Sequence, residues 1–223
     1  MTRLARIVIP GLPHHVTQRG NRRERVFFSD EDYQFYLVEL GMAARKAEAE
    51  IWAWCLMPNH VHLLIVPADE DGLRLTVANA HRRYAARLNA GNKWTGHLWQ
   101  GRYGSVVMDE AHLWSALAYV SLNPVRARLV ERAQDWPWSS ARAHLTGQPD
   151  GITTLAPALE RVGDFAAFLD AAHEAASFEP LRRAEITGRP IGGAGFLDGL
   201  EARLGRKVKP QRRGRKASEA EIR

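Results

Sequence analysis

The chain has 223 residues, of which 45% are hydrophobic and 25% are charged, a composition typical of a folded globular protein rather than a disordered one. Its one cysteine, Cys55, excludes an internal disulfide and a Cys-x-x-Cys zinc site, which suits a reducing cytoplasm. No stretch approaches the ~18 uninterrupted apolar residues of a membrane-spanning helix, and Pro10 and Pro13 interrupt the N-terminal apolar run too early for a signal peptide. We therefore expect a cytoplasmic protein without a membrane partner.

The positive charge is concentrated near the C-terminal end. The chain has 31 basic and 25 acidic residues, a net charge of +6, and residues 203–216 contain eight of the basic residues and no acidic one. Without that segment, 23 basic residues face 25 acidic ones. A basic run of this kind favours a phosphate-bearing partner such as nucleic acid, and the alternative is a solvated, solubilising end.

The first part of the chain alternates between strand and helix patterns. Strands are predicted where β-forming residues alternate with polar ones, and helices where apolar residues recur three or four positions apart. In chain order we predict a strand ending near Gly20, a helix after Ser29, a hairpin turning at Pro58-Asn59, a helix ending near Gly91, a strand over 103–110 and a helix that Pro124 terminates. The order β-α-β-β-α-β-α predicts an α+β fold of the ferredoxin-like or RRM-like type, an antiparallel sheet flanked by helices.

The composition changes after residue 147. Residues 148–187 are alanine-rich with a helical pattern, and residues 188–223 combine a Gly-rich turn, one short amphipathic helix and the basic run. We therefore divide the chain into a domain at 1–147, a helical extension at 148–187 and a basic, partly disordered nucleic-acid-binding tail at 188–223. The chain lacks a Gly-x-x-x-x-Gly-Lys-Ser/Thr phosphate-binding loop, so nothing indicates a reaction driven by ATP.

Two histidines stand out in the predicted hairpin. His60 and His62 flank Val61, and because strand side chains alternate they project to one face of the sheet. Such a pair could share a metal ion or belong to an ordinary hydrogen-bonded strand face, and the pattern alone does not decide. Tyr119 and Asn123 are four residues apart and adjacent on one helix face. Taken alone, they are a core-edge aromatic and a residue at a helix end.

Six motifs occur in a fixed order along the chain. They are HHVTQRGN, SDEDYQFYL, CLMPNHVHLLIVP, LWQGRYGSVVMDE, YVSLNPVRARLV and DWPWSSARAHL. Together they resemble the REP-associated tyrosine transposases, a branch of the single-tyrosine HUH endonucleases, over roughly residues 5–147. One motif alone would be weak, but six in the same order and with approximate spacing are specific. The resemblance implies the HUH endonuclease fold, with a helical and basic C-terminal extension.

The resemblance also implies an active site. His60 and His62 match the metal-binding pair, Tyr119 matches the nucleophile, and Asn123 occupies the place of the third metal-binding residue. The implied reaction is cleavage and transfer of single-stranded DNA through a 5′-phosphotyrosine. Mg²⁺ or Mn²⁺ is the implied cofactor, although two imidazoles by themselves favour zinc or another later transition metal.

The same resemblance implies the partners. They are single-stranded DNA with imperfect hairpins of the REP type, bound by a monomer or a homodimer associated with the nucleoid. The C-terminal tail either covers the active site or extends along the DNA.

Several polar residues are candidate DNA contacts through phosphates or bases, although any one of them could simply be solvated. Those in the tail resemble arginines of minor-groove arms, and nonspecific phosphate binding is the simpler alternative. Five tryptophans could stack on unpaired bases, but core packing is the better expectation for most of them. The polar candidates are Arg19, Asn21, Arg22, Arg23, Arg83, Arg87, Gln100, Arg102, Arg189, Arg212, Arg213, Arg215 and Lys216, and the tryptophans are Trp94, Trp99, Trp114, Trp136 and Trp138.

Three functions are consistent with these residues. The first is the metal-dependent, tyrosine-using strand transferase, the second a hairpin DNA- or RNA-binding protein of the same fold that does not cut, and the third a metallohydrolase that uses a metal-bound water. The intact set of His60, His62, Tyr119 and Asn123 favours the first. The three differ in whether the protein becomes covalently attached to DNA.

Overall fold

A computed structural model describes residues 6–175 and 178–209 of the protein. The strands are β1 His14–Arg19, β2 Glu50–Met57, β3 His60–Val66 and β4 Gly104–Val107. The helices are α1 Asp30–Lys46, α2 Asn79–Asn92, α3 Glu110–Arg126, α4 Ala141–Thr146, α5 Ala156–Val162, α6 Phe165–Ala175, α7 Glu179–Thr187 and α8 Ala194–Leu204. The predicted order of strands and helices is therefore confirmed through α3.

The four strands form one antiparallel sheet in the order β2-β3-β1-β4. This is the predicted ferredoxin-like arrangement, in which β1 and β3 occupy the centre. The register places Thr17 opposite His62 and Arg19 opposite His60. Because side chains alternate along a strand, these four residues share one face of the sheet.

Each face of the sheet is covered by a different layer. On one face, α1 and α2 pack over a core that includes Val16, Val61 and Leu63. On the other, α3 packs over Cys55 and Leu64. The fully buried side chains Val61 and Leu63 fix the register of β3, because a slip by one residue would expose them. The same register turns His60 and His62 towards α3.

One predicted helix end was wrong. Helix α3 contains Pro124 and continues to Arg126. A residue before proline ordinarily avoids the helical conformation, but Asn123 and Pro124 are buried, and their carbonyls still accept hydrogen bonds from Ala127 and Leu129, each at 3.0 Å. Packing and these bonds keep the last turn helical.

Helix α2 ends at Asn92, the residue after Gly91, which confirms the predicted end near Gly91. Lys93 follows it in the left-handed conformation, with φ of 54°, and its backbone N–H donates to the carbonyls of the last turn. A left-handed residue commonly terminates a helix, although glycine is the usual occupant. A π-helical turn at Arg74–Ala78 leads into α2.

The described residues 148–175 and 178–209, here called the extension, contain helices α5 to α8. Helix α6 packs on α3, and α7 contacts both β4 and α3. The extension therefore reaches the sheet face on which the histidine pair lies. Within the described residues, no helix is long and apolar enough to cross a membrane. The tail candidates Arg212, Arg213, Arg215 and Lys216 lie outside the described residues.

Candidate active site

The predicted nucleophile lies beside the predicted metal pair. Strand β3 presents His60 and His62 with ring centroids 4.8 Å apart, and the ring of Tyr119 on α3 lies edge-on to His62 at 5.2 Å. Asn123 is one helical turn after Tyr119 and is also buried. The packing of α3 on β3 thus gathers the histidines and the tyrosine, which are far apart in the chain.

Both imidazoles of the pair are neutral near pH 7. Burial lowers the pKa of His60 to about 4 and that of His62 well below its ordinary value, and the neighbouring Arg19 acts in the same direction on both. His60 Nδ1 lies 2.6 Å from the side-chain oxygen of Asn59, which fixes the ring and leaves Nε2 with a lone pair. His62 Nε2 is buried without a hydrogen-bond partner among the described residues. A pair of neutral imidazoles with free lone pairs fits a divalent cation.

Tyr119 is enclosed and has two cations near its ring. The side chain is 7% exposed, and the guanidinium carbons of Arg126 and Arg182 lie 5.1 and 6.0 Å from the ring centroid. Burial raises the pKa of the Tyr119 phenol and Glu185 adds to this, whereas Arg182 and Arg126 oppose it. The arginines therefore counter part of the cost of forming a phenolate in a buried site.

His15 is a site residue that the sequence reasoning did not identify. It lies on β1, with its Nε2 3.0 Å from His62 Nδ1 and the two rings stacked at 5.1 Å. Burial lowers the pKa of His15 to about 3. A sequence signal existed, because His15, Thr17 and Arg19 alternate on one face of a predicted strand.

Glu185, on α7, is the second residue that was missed. One of its carboxylate oxygens lies 3.2 Å from His15 Nδ1 and 4.0 Å from His62 Nδ1. Burial raises the pKa of this carboxyl group to about 7, against the effect of Arg19 and Arg182. No pattern in the sequence indicated it, since it comes from the extension, where no chemistry was expected.

Four DNA-binding candidates lie at the end of the sheet near His60. Arg19, the last residue of β1, is exposed and faces the same side as His60. The backbone N–H of Gln100 donates to the Arg19 carbonyl at 2.8 Å, and that of Asn21 donates to Leu98 at 2.8 Å, so two loops meet here. The side chain of Arg22 is exposed beside them, with φ of 53°.

Three other candidates, Arg83, Arg87 and Arg189, make their contacts away from the histidine pair. Arg83 pairs with Glu39, and the guanidinium of Arg87 lies 4.4 Å from the ring centroid of Phe35, both on the α1–α2 side of the sheet. Arg189 donates to the carbonyls of Val208 and Lys209 at 2.9 and 2.8 Å, so it holds the end of the extension. Arg102 is exposed. Arg23 is also exposed, and its backbone carbonyl accepts a hydrogen bond at 2.9 Å from the side chain of Asn59, the neighbour of His60.

Four of the five tryptophans pack in or against the core, as the sequence led us to expect: Trp99 is buried, and the other three are partly buried. Trp99 and Trp136 donate from their indole N–H groups to the carbonyls of His81 and Leu56, Trp138 stacks on Tyr33, and Trp114 packs against Phe168. Trp94 differs, because it is 46% exposed. Base stacking by Trp94 stays a prediction.

Known proteins resemble this chain in sequence and in fold. The family model described as "Transposase IS200 like" matches residues 9–123, just over half of the chain, and this range includes His60, His62, Tyr119 and Asn123. A Haemophilus influenzae protein assigned as a REP-associated tyrosine transposase is 29% identical over 102 residues, covering 41% of this chain and 58% of that protein. The REP-associated tyrosine transposase of Escherichia coli is 23% identical over 121 residues, covering 54% of this chain and 70% of that protein.

A solved structure has the same fold. It is described as a REP-associated tyrosine transposase bound to a REP hairpin, with a TM-score of 0.54 and 21% identity, over 68% of this chain and 90% of that one. At 21% identity, the similarity between the two structures shows that they share a fold. Membership of the family rests on the match to the family model. The chain belongs to the IS200-like transposase family.

Proposed function

We propose that the protein is a metal-dependent endonuclease and strand transferase for single-stranded DNA with REP-like hairpins, and that Tyr119 is its nucleophile. One observation carries the proposal: the Tyr119 ring lies 5.2 Å from His62, on the sheet face that also presents His60. A nucleophile and a pair of metal-binding imidazoles therefore share one enclosed site. The relatives named for REP elements and the fold neighbour bound to a REP hairpin support the substrate class.

His60, His62 and Asn123 would hold Mg²⁺ or Mn²⁺, and the unpartnered His62 Nε2 fits that role. An ion held there supplies Lewis-acid polarisation of the scissile phosphate. Asn123 adds a hard oxygen donor, which Mg²⁺ and Mn²⁺ prefer over a third imidazole.

The tyrosine performs the covalent step. Arg126 and Arg182 favour loss of the phenolic proton, since both lower the pKa of Tyr119, and an ordinary phenol with a pKa of about 10 is a weak nucleophile at neutral pH. The Tyr119 oxygen bonds to phosphorus as the bond from phosphorus to the 3′-oxygen breaks. That oxygen leaves as a hydroxyl group after taking a proton. The 5′-phosphate stays on Tyr119, and a second 3′-hydroxyl rejoins the strand by the reverse step without ATP.

Arg19, Asn21, Arg22 and Gln100 are proposed to contact DNA beside the scissile phosphate, because their loops meet at the sheet end next to His60. The proposed tail contacts Arg212, Arg213, Arg215 and Lys216 would bind phosphates farther away, with a salt dependence that counterion release imposes. Such a protein would work as a monomer or homodimer at the nucleoid.

A denaturing gel tests the proposal. The protein is incubated with 5′- or 3′-labelled hairpin oligonucleotides and Mg²⁺ or Mn²⁺, and wild type runs beside Tyr119→Phe and His60→Ala. We expect a protein–DNA adduct that carries the strand downstream of the cut and that both variants lack. Hairpin binding, followed by native gel shift, should persist in Tyr119→Phe because the ring is retained.

Two other outcomes point to the alternative functions. Cleavage without an adduct that survives Tyr119→Phe would identify a hydrolase that uses metal-bound water. Binding without cleavage across hairpins from the protein's own genome would identify a binder, domesticated from the transposase fold.

A further inference from the structure

Asn59 connects the proposed metal ligand His60 to the loop that follows β1. It is the second residue of the turn between β2 and β3. Its side-chain oxygen lies 2.6 Å from His60 Nδ1, and its side-chain nitrogen donates to the carbonyl oxygen of Arg23 at 2.9 Å. Its backbone carbonyl accepts a hydrogen bond from the N–H of Gly20 at 2.8 Å. One residue therefore contacts a histidine of the candidate site and both ends of the segment 20–23.

These hydrogen bonds decide which ring nitrogen of His60 carries the proton. A backbone carbonyl only accepts hydrogen bonds, so the amide nitrogen of Asn59 faces Arg23 and the amide oxygen faces His60. An oxygen acceptor beside Nδ1 requires the proton on Nδ1. Because a neutral imidazole has one donor and one acceptor nitrogen, the lone pair is then on Nε2. Nε2 is therefore the nitrogen of His60 that can bind a cation.

The loop on the other side of Asn59 has a strained backbone. Arg22 and Arg23 both lie in the left-handed region, with φ of 53° and 64°. This conformation costs energy in a residue other than glycine, and it persists only where neighbouring contacts hold it. The hydrogen bond from Asn59 to the Arg23 carbonyl is such a contact. Both arginine side chains are exposed, so the loop is held by its backbone while its charged groups face solvent.

We propose that Asn59 is a positioning residue, which orients His60 for the metal ion with its amide oxygen and holds the Arg22–Arg23 loop for DNA with its amide nitrogen. The inference rests on the proposed function, from which it takes the metal ion and the hairpin DNA. It deepens that function by naming the residue that fixes the metal ligand and the DNA loop relative to each other. The partner that accepts the second ring N–H of a ligating histidine fixes the tautomer and the orientation of the ring.

Two substitutions separate the two contacts. Asn59→Asp keeps an oxygen acceptor for His60 Nδ1 but has no donor for the Arg23 carbonyl, whereas Asn59→Ala removes both. The control is Asn92→Ala, which also removes a side-chain amide that donates to a backbone carbonyl, that of Leu88 at 2.9 Å. Each substitution is made in the full chain that carries Tyr119→Phe, the parent protein of the test, so that DNA is bound without being cut.

The tautomer of His60 is measured by NMR of the metal-free protein with ¹⁵N-labelled histidine. Protonated and unprotonated ring nitrogens have widely separated shifts, and the His60 signals are those absent from His60→Ala. We expect the proton on Nδ1 in the parent protein, in the control and in Asn59→Asp. In Asn59→Ala this preference should be lost, because an imidazole side chain in water favours the proton on Nε2.

Metal binding is measured by titration with Mn²⁺, followed by the electron paramagnetic resonance of the free ion. We expect Asn59→Ala to bind Mn²⁺ about 10–100-fold more weakly than the parent protein, as the loss of an outer hydrogen-bond partner typically does. The control and Asn59→Asp should bind no more weakly than the parent protein, because both keep the acceptor for His60 Nδ1.

Hairpin affinity in a native gel shift without metal reports on the loop. The Kd should rise about 3- to 10-fold in both Asn59 variants, the range that one lost hydrogen bond produces, and should not change in the control. Asn59→Ala adds no charge, so a weaker complex there does not come from repulsion between a new carboxylate and DNA.

Three results would each overturn the proposal. They are a proton on Nε2 of His60 in the parent protein, a tautomer and Mn²⁺ affinity unchanged in Asn59→Ala, and a hairpin affinity unchanged in both Asn59 variants. Asn59→Asp keeps the test decisive if Asn59→Ala does not fold, because the two side chains are nearly isosteric. None of these measurements requires cleavage. A wild type that forms no tyrosine adduct would therefore contradict the proposed function separately.

Discussion

Phe178 packs against Tyr119 with the ring centroids 5.2 Å apart, and the guanidinium of Arg126 lies over both rings. Phe178 immediately precedes α7, so the extension completes the enclosure of a tyrosine that the sheet and α3 only partly bury. Residues 178–187 therefore lie against Tyr119, whereas the two arrangements considered for the tail at 188–223 stay predictions.

Removal of this ring should uncover the phenol. In Phe178→Ala we expect Tyr119 to react several-fold faster with tetranitromethane than in wild type, because its ring loses the apolar contact that excludes solvent and reagent. Peptide mass spectrometry after a short exposure measures the nitrated fraction at each tyrosine. Tyr36, fully buried on the other side of the sheet, is the internal reference.

The substitution has its own cost, since truncation of a buried phenylalanine typically destabilises a protein by about 3–5 kcal/mol. Nitration is therefore measured where circular dichroism shows the variant to be folded. Equal nitration of Tyr119 in the folded variant and wild type would show that Phe178 does not shield the phenol. Faster nitration of Tyr36 as well would indicate general loosening.

Arg126 should support the nucleophile electrostatically. Arg126→Gln removes a positive charge from beside Tyr119, and we expect adduct formation at pH 7 to slow about tenfold, the change that about 1.4 kcal/mol in the barrier produces. The rate at saturating hairpin DNA is the measurement, so that weaker binding does not enter. Arg128→Gln, an exposed change nearby, is the matched control and should leave the rate unchanged. An equal slowing in both variants would indicate a general effect of charge on DNA binding.

Local sequence patterns predicted the ferredoxin-like part of the fold because its signals are local. Alternation in β1 and β3 and the turn at Pro58-Asn59 specify strands, and the helical spacing of apolar residues specifies α1 and α3. The end of α3 was mispredicted because Pro124 is a local signal for termination, whereas burial of that turn is a tertiary effect.

The candidate site also has residues that the sequence indicated and residues that only tertiary packing brings in. The proximity of His62 and Tyr119 follows from the way α3 crosses the sheet, which is a property of the fold that the six motifs indicated. Glu185 was out of reach, since it lies in an alanine-rich region and meets His15 only after α7 docks on the sheet. Nothing in the sequence distinguishes Arg126 and Arg182 from other surface arginines. Their proposed role depends on the nearby ring of Tyr119, which only the fold places beside them.

Gly20 should be essential to the loop that carries Arg19, Asn21 and Arg22. A Cβ at this position would lie 2.3 Å from the carbonyl oxygen of Glu24 and 2.7 Å from a methyl group of Val26, and the Gly20 N–H donates to the carbonyl of Asn59 at 2.8 Å. The backbone carbonyl of Glu24 cannot move away from the added Cβ without distorting the loop. We therefore expect Gly20→Ala to lower the free energy of unfolding by about 1–3 kcal/mol. Guanidinium chloride unfolding at equilibrium measures the change.

The matched control is Gly91→Ala, in α2, where no atom lies within 4 Å of the added Cβ. There the substitution should stabilise the protein by up to about 1 kcal/mol, because alanine is the better helix former. Equal effects of the two substitutions would contradict the close approach at Gly20. The hairpin affinity of folded Gly20→Ala should also fall if this loop contacts DNA.

His81 should make the protein less stable in acid. It is a buried residue of the first turn of α2, with Nε2 2.9 Å from the Tyr36 hydroxyl oxygen, and burial lowers its pKa to about 3. The unfolded chain takes up this proton near pH 6.5, while the folded chain does not. The unfolded state therefore binds more protons between about pH 6.5 and 3, and the free energy of unfolding falls with decreasing pH by up to about 1.4 kcal/mol per pH unit from this residue. Urea unfolding at pH 7, 6 and 5 should show a shallower dependence in His81→Gln than in wild type. Parallel slopes would mean that His81 gains its proton without unfolding, which its buried contact with Tyr36 opposes.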